Sequence, residues 1–347
     1  MLSDVRAFGG RAGPQTPRRW ATKLALLPTI AVATLSSQPA AADETGVSFW
    51  LPGIFGSLAA VPIQPGWSFS TTNYFTSVSA GKNVDFELGG RVVAGLDARV
   101  DLQYSTIVYA FPKPVLGGEA DISLSSIFAN NNTSISGTLT GPFGNTISGS
   151  RSQTTTGFGD LYPVGQLRWN QGVNNWMTYL TGDIPVGDYS SQNLANIGIG
   201  HGAIDGGGGY TYFNPQTGNE LSAVIGVTYN FINPSTNVQS GLDSHLDWGT
   251  SHFLSPNFSF GAVGYVYQQI TGDSGSGDKV GPFMSRVLGV GPQLTFLFPV
   301  AGMQGAVNLK EYTEFGAHDR PSGYNLWLTF SITPEAPTTP KPITAKF

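Results

Sequence analysis

The chain has 347 residues, no cysteine, 17 Lys+Arg against 22 Asp+Glu, and a formal net charge of −5 at pH 7. A net acidic chain repels nucleic-acid phosphates, so nucleic acid is not an expected partner. Without cysteine there is no disulfide framework, no thiolate nucleophile and no Cys-ligated metal, and 11% charged residues are too few for a solvated disordered chain.

Near the start, Arg18, Arg19 and Lys23 precede an apolar run from Leu24 to Leu35, followed by the small residues Ala40-Ala41-Ala42. This order marks a secretory signal peptide, so residues 1–42 are expected to be removed on export. Pro17 and Trp20 flank the arginine pair in a way that fits a twin-arginine signal poorly. Removal takes five basic residues and one acidic residue, making the mature chain more acidic still. No later stretch approaches the run of about eighteen apolar residues that a membrane helix needs. A membrane would then be crossed by a closed barrel.

Residues 43–65 are apolar at Val47, Phe49, Trp50, Leu51, Ile54 and Phe55, with Gly and Pro interruptions. From Trp67 the pattern changes to a period of two, which places alternate side chains on opposite faces of a strand. Twelve such runs are predicted, at 67–77, 91–111, 116–128, 158–170, 175–185, 201–213, 219–232, 241–253, 258–270, 285–298, 304–315 and 324–332. In the second, Leu96, Ala98, Val100, Leu102 and Tyr104 share one face, and Asp97, Arg99, Asp101 and Gln103 the other. In the seventh, Leu221, Ala223, Ile225, Val227, Tyr229 and Phe231 alternate with Ser222, Val224, Gly226, Thr228 and Asn230.

The connectors alternate in length. Those near 112–115, 171–174, 214–218, 254–256 and 299–303 are short; those at 78–90, 129–157, 186–200, 233–240, 271–284 and 316–323 are longer. Sorted in this way, they fit an outer-membrane barrel with short periplasmic turns and longer outer loops. Aromatic residues at many strand ends, Phe111, Trp169, Trp176, Phe231 and Phe298 among them, suit the two interfacial girdles of such a barrel. The expected fold is therefore all-β, a transmembrane antiparallel up-and-down barrel of about 12 strands, at most about 14. The competing reading is a secreted all-β protein whose dry face is a protein core. On the barrel reading, residues 66–332 form the barrel and 333–347 a Pro/Thr-rich periplasmic tail.

The face opposite the apolar one would line a lumen. Asp97, Arg99, Asp101, Gln103, Asp160, His245, Asp247 and Lys310 are the expected lining residues, with Glu119, Asp121 and Asp205 also placed there. Pro163 and Pro292 fall inside predicted strands, cannot donate to a ladder, and predict local breaks in the wall. Each could be a lateral opening or a simple strand bend. Asp243, His245 and Asp247 share a face, and Ser259 or Ser285 could lie near, but a histidine among lumen carboxylates is not by itself a general base. No catalytic residue is assigned and the chain is not expected to be an enzyme. His201, His245, His252 and His318 lack metal-ligand spacing, so no metal is expected. The Gly206-Gly207-Gly208-Gly209 run is not followed by a helix pattern and is no phosphate cradle, which leaves no expected cofactor.

Several segments in order resemble the MetA-pathway of phenol degradation family. They are Leu51-Pro52-Gly53 with Pro65-Gly66-Trp67, Gly157-Phe158-Gly159-Asp160-Leu161, Pro185-Val186-Gly187-Asp188-Tyr189, Asn193 to Gly198, Gly264-Tyr265, and Gly289-Val290-Gly291-Pro292. The resemblance covers most of the mature chain and implies an outer-membrane channel related to long-chain fatty-acid transport barrels. It implies passive uptake of hydrophobic or aromatic small molecules. It also implies that 43–65 can sit in the lumen as a hatch through Phe49, Trp50, Ile54 and Phe55, although a periplasmic lead-in strand fits those residues equally. Separately, Gly323 to Phe330 resembles the closing-strand signal read by the barrel-assembly machinery. Expected partners are thus outer-membrane lipid, that machinery and a small-molecule substrate. A non-transporting structural or adhesive barrel acting through its outer loops is the alternative.

Overall fold

The computed structural model describes residues 48–80, 85–88, 91–140, 146–278, 281 and 283–335. The expected signal peptide, residues 43–47 and the tail beyond 335 lie outside these. The strands are β1 (Gly66–Ser79), β2 (Asp85–Leu88), β3 (Arg91–Ala94), β4 (Leu96–Ala110), β5 (Glu119–Thr140), β6 (Thr146–Gln171) and β7 (Asn174–Asp183). They continue with β8 (Ala203–Asn214), β9 (Asn219–Asn230), β10 (Asp243–Ser255), β11 (Phe258–Gln269), β12 (Arg286–Val300), β13 (Met303–His318) and β14 (Ser322–Pro334). Twelve of them, β1 and β4 to β14, form a closed antiparallel barrel, and β2 pairs with β3 in a separate hairpin. The barrel closes where β1 meets β14, from Phe69↔Ile332 to Ser79↔Ser322.

The alternation in β9 shows how sequence becomes wall. Leu221, Ile225, Val227 and Tyr229 point outward, with Ile225 62% exposed, while Ser222, Val224, Thr228 and Asn230 are buried inside. An apolar outside around a more polar inside inverts a soluble protein and is the pattern of a wall facing hydrocarbon. Outward-facing rings gather near the short-turn end, where Trp67 lies 4.8 Å from Tyr109 and Trp176 lies 4.6 Å from Tyr210. A second set, with Phe128 5.1 Å from Phe158 and Tyr229 5.5 Å from Phe231, sits toward the opposite end.

Three of the expected connectors are corrected. Within 78–90, residues 85–88 form β2 and pair with 91–94, so the run expected at 91–111 is split at Gly95 and only its part from Leu96 belongs to the barrel. Residues 129–157, expected as a loop, belong largely to β5 and β6, which pair in register from Ala129↔Gly157 to Thr140↔Thr146. The stretch is rich in Asn, Ser, Thr and Gly and carries no sustained apolar alternation, yet its polar side chains pair across the strands. Asn130 Nδ2 donates to Thr156 Oγ1 at 2.6 Å, and Asn132 Nδ2 to Thr154 Oγ1 at 2.9 Å. A tilted strand needs only about 9–11 residues to span hydrocarbon, so strands of 22 and 26 residues continue well past it. Likewise 316–323 is mostly strand, and β13 and β14 leave only 319–321 between them. The long connectors that do appear, 184–202, 231–242 and 270–285, all lie at the end opposite the short turns.

Candidate functional site

Residues 48–62 run inside the barrel and are tied to its wall by backbone hydrogen bonds to charged and polar side chains. Asp247 on β10 accepts from Gly53 N at 2.9 Å and Phe55 N at 3.1 Å. Lys310 on β13, three strands further round the barrel, reaches the same turn, donating to Gly53 O at 2.6 Å and Ile54 O at 3.2 Å. Tyr312 adds a third bond to Gly53 O at 3.1 Å. Lower down, Leu58 N donates to Glu220 Oε1 at 2.9 Å and Ala60 N to Thr211 Oγ1 at 3.0 Å. An irregular segment inside a barrel must satisfy its amides, and the wall supplies the partners.

Trp50 anchors the upper part of this segment. Its ring stacks on His245 with centroids 3.6 Å apart. His245 Nε2 in turn lies 3.0 Å from Asp205 Oδ2 and 3.2 Å from Tyr179 Oη. The register explains the reach. Tyr179, Gly207, Gly226 and His245 form one row across four strands, and a Cβ on Gly226 would stand 2.1 Å from the Tyr179 hydroxyl and 2.6 Å from His245 Nε2. Two facing glycines thus let the tyrosine and histidine meet above them. His245 is engaged with Asp205 and Tyr179 rather than with Ser259 or Ser285.

Three stretches singled out in the sequence converge on the loop 184–202. Asp160 accepts from Gly187 N at 2.7 Å and Ile199 N at 2.8 Å. Gly187 packs on Gly159 so closely that a Cβ would meet its backbone at 2.6 Å. The Gly157–Asp160, Pro185–Asp188 and Asn193–Gly198 segments are therefore one structural unit that turns the loop inward. Asn131 and Thr155 seal it, donating to Asn196 O and Ala195 O, each at 2.8 Å.

Two cavities result. One, of about 150 Å³, lies toward the long-loop end and is walled by Val78, Leu96, Ala98, Val100, Leu194 and Ile197 with Glu314 and Arg320. The other, of about 420 Å³, lies toward the short-turn end and reaches Asp121, Arg168 and Lys310. Ser48, Trp50, Leu51 and Ile199 border both, so the inner segment and the inturned loop stand between them.

The expected lining residues divide. Asp160, His245, Asp247 and Lys310 are buried in the interior, as are Asp121 and Asp205. Asp97, Arg99, Asp101 and Gln103 are exposed on the outer face of β4, while Leu96, Ala98, Val100 and Leu102 line the cavities. That expectation is corrected, and the reason is height. Asp101 pairs with Asn130 and Arg99 with Asn132, beyond the Phe128–Phe158 pair, where the outer surface is polar and the apolar face is free to turn inward. Glu119 is exposed at the rim. Phe49 and Trp50 are buried and Ile54 and Phe55 partly so, all within one cluster. Pro163 interrupts the β6–β7 ladder, which runs to Val164↔Thr181 and resumes at the Leu161↔Ile184 bridge. Pro292 lies in a similar interval of the β12–β13 ladder, between Val290↔Thr313 and Gln293↔Lys310. Sequence reasoning missed Tyr179, Glu220, Gln293 and Tyr312. Inward phase on their strands was the available signal.

Among the described residues, no group of His, Asp and Glu is arranged to hold a metal. The family model described as "Putative MetA-pathway of phenol degradation" matches residues 81–330. A search of curated proteins found no match. Among solved structures, the COG4313 outer membrane channel from Pseudomonas putida F1 superposes with a TM-score of 0.58 at 12% identity, covering 82% of this chain and 99% of that one. A Pseudomonas aeruginosa FadL homologue gives 0.36 at 9% identity, covering 85% and 98%. The translocator domain of the autotransporter NalP from Neisseria meningitidis gives 0.39 at 10%, covering 79% and 90%.

Proposed function

We propose that this chain, which belongs to the MetA-pathway of phenol degradation family, is an outer-membrane channel for passive uptake of hydrophobic or aromatic small molecules. The observation that carries the reading is the inversion within β4. Leu96, Ala98, Val100 and Leu102 turn into the lumen while the charged residues between them face outward. These side chains border an open cavity rather than filling a packed core, and so offer an apolar solute a surface onto which it can partition. The outward apolar band and its two aromatic sets support a bilayer setting. Delivery there would use the leader at residues 1–42 and the Gly323–Phe330 closing strand as the assembly signal.

In this reading the segment 48–62 is the hatch. It separates the two cavities, is held by side-chain bonds from the wall rather than by a strand ladder, and must shift for a solute to pass from the long-loop side to the short-turn side. Asp247 and Lys310 are its latch, and Asp160 fixes the loop that narrows the entrance. In this reading Asp247, Lys310 and Glu220 serve the segment and Asp160 the loop, not bond making or breaking.

The test is uptake of an apolar aromatic probe into vesicles with a lipopolysaccharide outer leaflet, a layer that hinders such solutes. Uptake above protein-free vesicles is the expected result. Heat-modifiable, detergent-dependent protein that gives no uptake would assign the barrel a structural role instead.

A further inference from the structure

The cavity at the short-turn end is not uniformly apolar. One side is formed by Phe49, Ile54, Phe55 and Val164, and the other by hydroxyls of β1, β4, β5 and β14. Two pairs of those hydroxyls bond each other, Thr72 with Thr329 and Thr106 with Ser125, each at 2.8 Å, while Ser68 Oγ is buried without a partner among the described residues. At the end of this cavity stand Asp121 on β5 and Arg168 on β6. Arg168 Nη1 donates to Asp121 Oδ2 and Nη2 to Gln166 Oε1. The Arg168 side chain is only 9% exposed, and its Nε has no hydrogen-bond partner among the described residues.

A buried ion pair costs desolvation and is weak evidence of a stability role, and an uncommitted guanidinium donor beside a cavity adds to that cost. The bonds of this pair run to each other and to Gln166, not to the inner segment or the inturned loop, so the latch does not account for them. Lys310, the other cation bordering the cavity, is committed to Gly53 O.

We propose that the Asp121–Arg168 pair is a polar station that reads the head group of a passing solute, and that it selects a neutral head that both donates and accepts a hydrogen bond. This deepens the channel reading and rests on it. The charge logic sets the class. The pair is neutral, and Glu119, across the ladder from Arg168, is exposed at the rim where solvent screens it; a carboxylate head would therefore add a further anion to one guanidinium, and an ammonium head would face the guanidinium itself. A hydroxyl accepts from Arg168 and donates to the remaining lone pairs of the Asp121 carboxylate. The rest of the solute lies against the Phe49, Ile54 and Phe55 side. The preferred solute is therefore an apolar body with one hydroxyl, rather than a bare hydrocarbon or a carboxylate.

The test is saturable binding to the detergent-solubilised full barrel, followed by fluorine NMR, of 4-fluorobenzyl alcohol, 4-fluorotoluene and 4-fluorobenzoate. The alcohol is expected to bind about tenfold more tightly than fluorotoluene, the ratio for one well-placed hydrogen-bonding group. Asp121→Leu with Arg168→Met removes both charges together and leaves none unpaired. It should erase the preference while fluorotoluene binding stays or improves. Arg168→Lys keeps the pair but lacks the guanidinium fork, and should also lower the preference. Equal binding of the alcohol and fluorotoluene, a preference that survives the double substitution, or strongest binding of fluorobenzoate would each overturn the proposal. Uptake of apolar probe by the double variant separates the two claims. If it persists, the channel reading stands whatever the binding series gives; if wild-type barrel shows no uptake, the channel reading itself fails.

Discussion

Replacing Asp247 by alanine removes the acceptor for both Gly53 N and Phe55 N. Hydrogen bonds to a charged group are worth about 1.5–3 kcal/mol each, and Asp247 is 1% exposed, so solvent screening offers little relief. Lys310 still holds the carbonyls of the same turn, and water entering the vacated space recovers part of the loss. A net weakening of about 3 kcal/mol is therefore expected, which raises the displaced population of the segment roughly 150-fold. The chain has no native cysteine, so a single reporter thiol can follow this. Gly56 is suited to it, since a Cβ there meets its nearest atom, Lys310 Cδ, at an ordinary 3.5 Å. Maleimide modification of Gly56→Cys should accelerate by about two orders of magnitude in the Asp247→Ala background if opening is a pre-equilibrium. A change below about threefold would mean that the Asp247 bonds do not hold the segment, and the latch would have to be abandoned.

Other consequences are accessible to simpler assays. Gly226→Val would drive a side chain into the space where Tyr179 meets His245, and should cost about 1–3 kcal/mol by overpacking, visible as a lower temperature for the heat-modifiable gel shift; an unchanged temperature would contradict the shared role of the two glycines. Asp160→Ala strips the acceptor from Gly187 N and Ile199 N, so loop 184–202 should become the first site of limited proteolysis, whereas equal resistance would show that Asn131 and Thr155 suffice. Pro163→Ala restores a ladder donor in the β6–β7 interval. It should slow uptake of an apolar probe if that interval is a lateral exit into lipid, and unchanged uptake would leave it as a strand bend.

How far the sequence carried can be seen strand by strand. The period of two located all twelve barrel strands because every one of them has unlike faces. What periodicity cannot say is which face looks outward, since a one-residue shift exchanges them. β9 follows the membrane rule, with Ile225 and Val227 outward. The upper part of β4 reverses it, because beyond the Phe128–Phe158 pair the outer face is polar and the apolar residues are free to line a cavity. The strand ends of β5 and β6 were hidden for a related reason. Asn and Thr on both faces leave no alternation to read, and the pairing rests on side-chain hydrogen bonds such as Asn132 to Thr154. In the interior, the charged residues of β10 and β13 stood out by phase alone. Their partners did not, since Gly53 and Phe55 contribute through backbone amides, which carry no sequence signature. The glycine run 206–209 was legible as a place of close approach, but the Tyr179–His245 contact above it depends on register across four strands.

The central claim is that solute crosses this barrel along a path controlled by residues 48–62. Cysteines at Gly56 and Gln293, bridged by a short cleavable bismaleimide, would pin the segment to β12, next to Lys310. Uptake of an apolar aromatic probe into lipopolysaccharide-coated vesicles should fall to the protein-free level when the bridge is formed and return when it is cleaved. Uptake that is the same with the bridge intact would show that the solute does not pass the segment, and the account of the lumen as the transport path would be wrong.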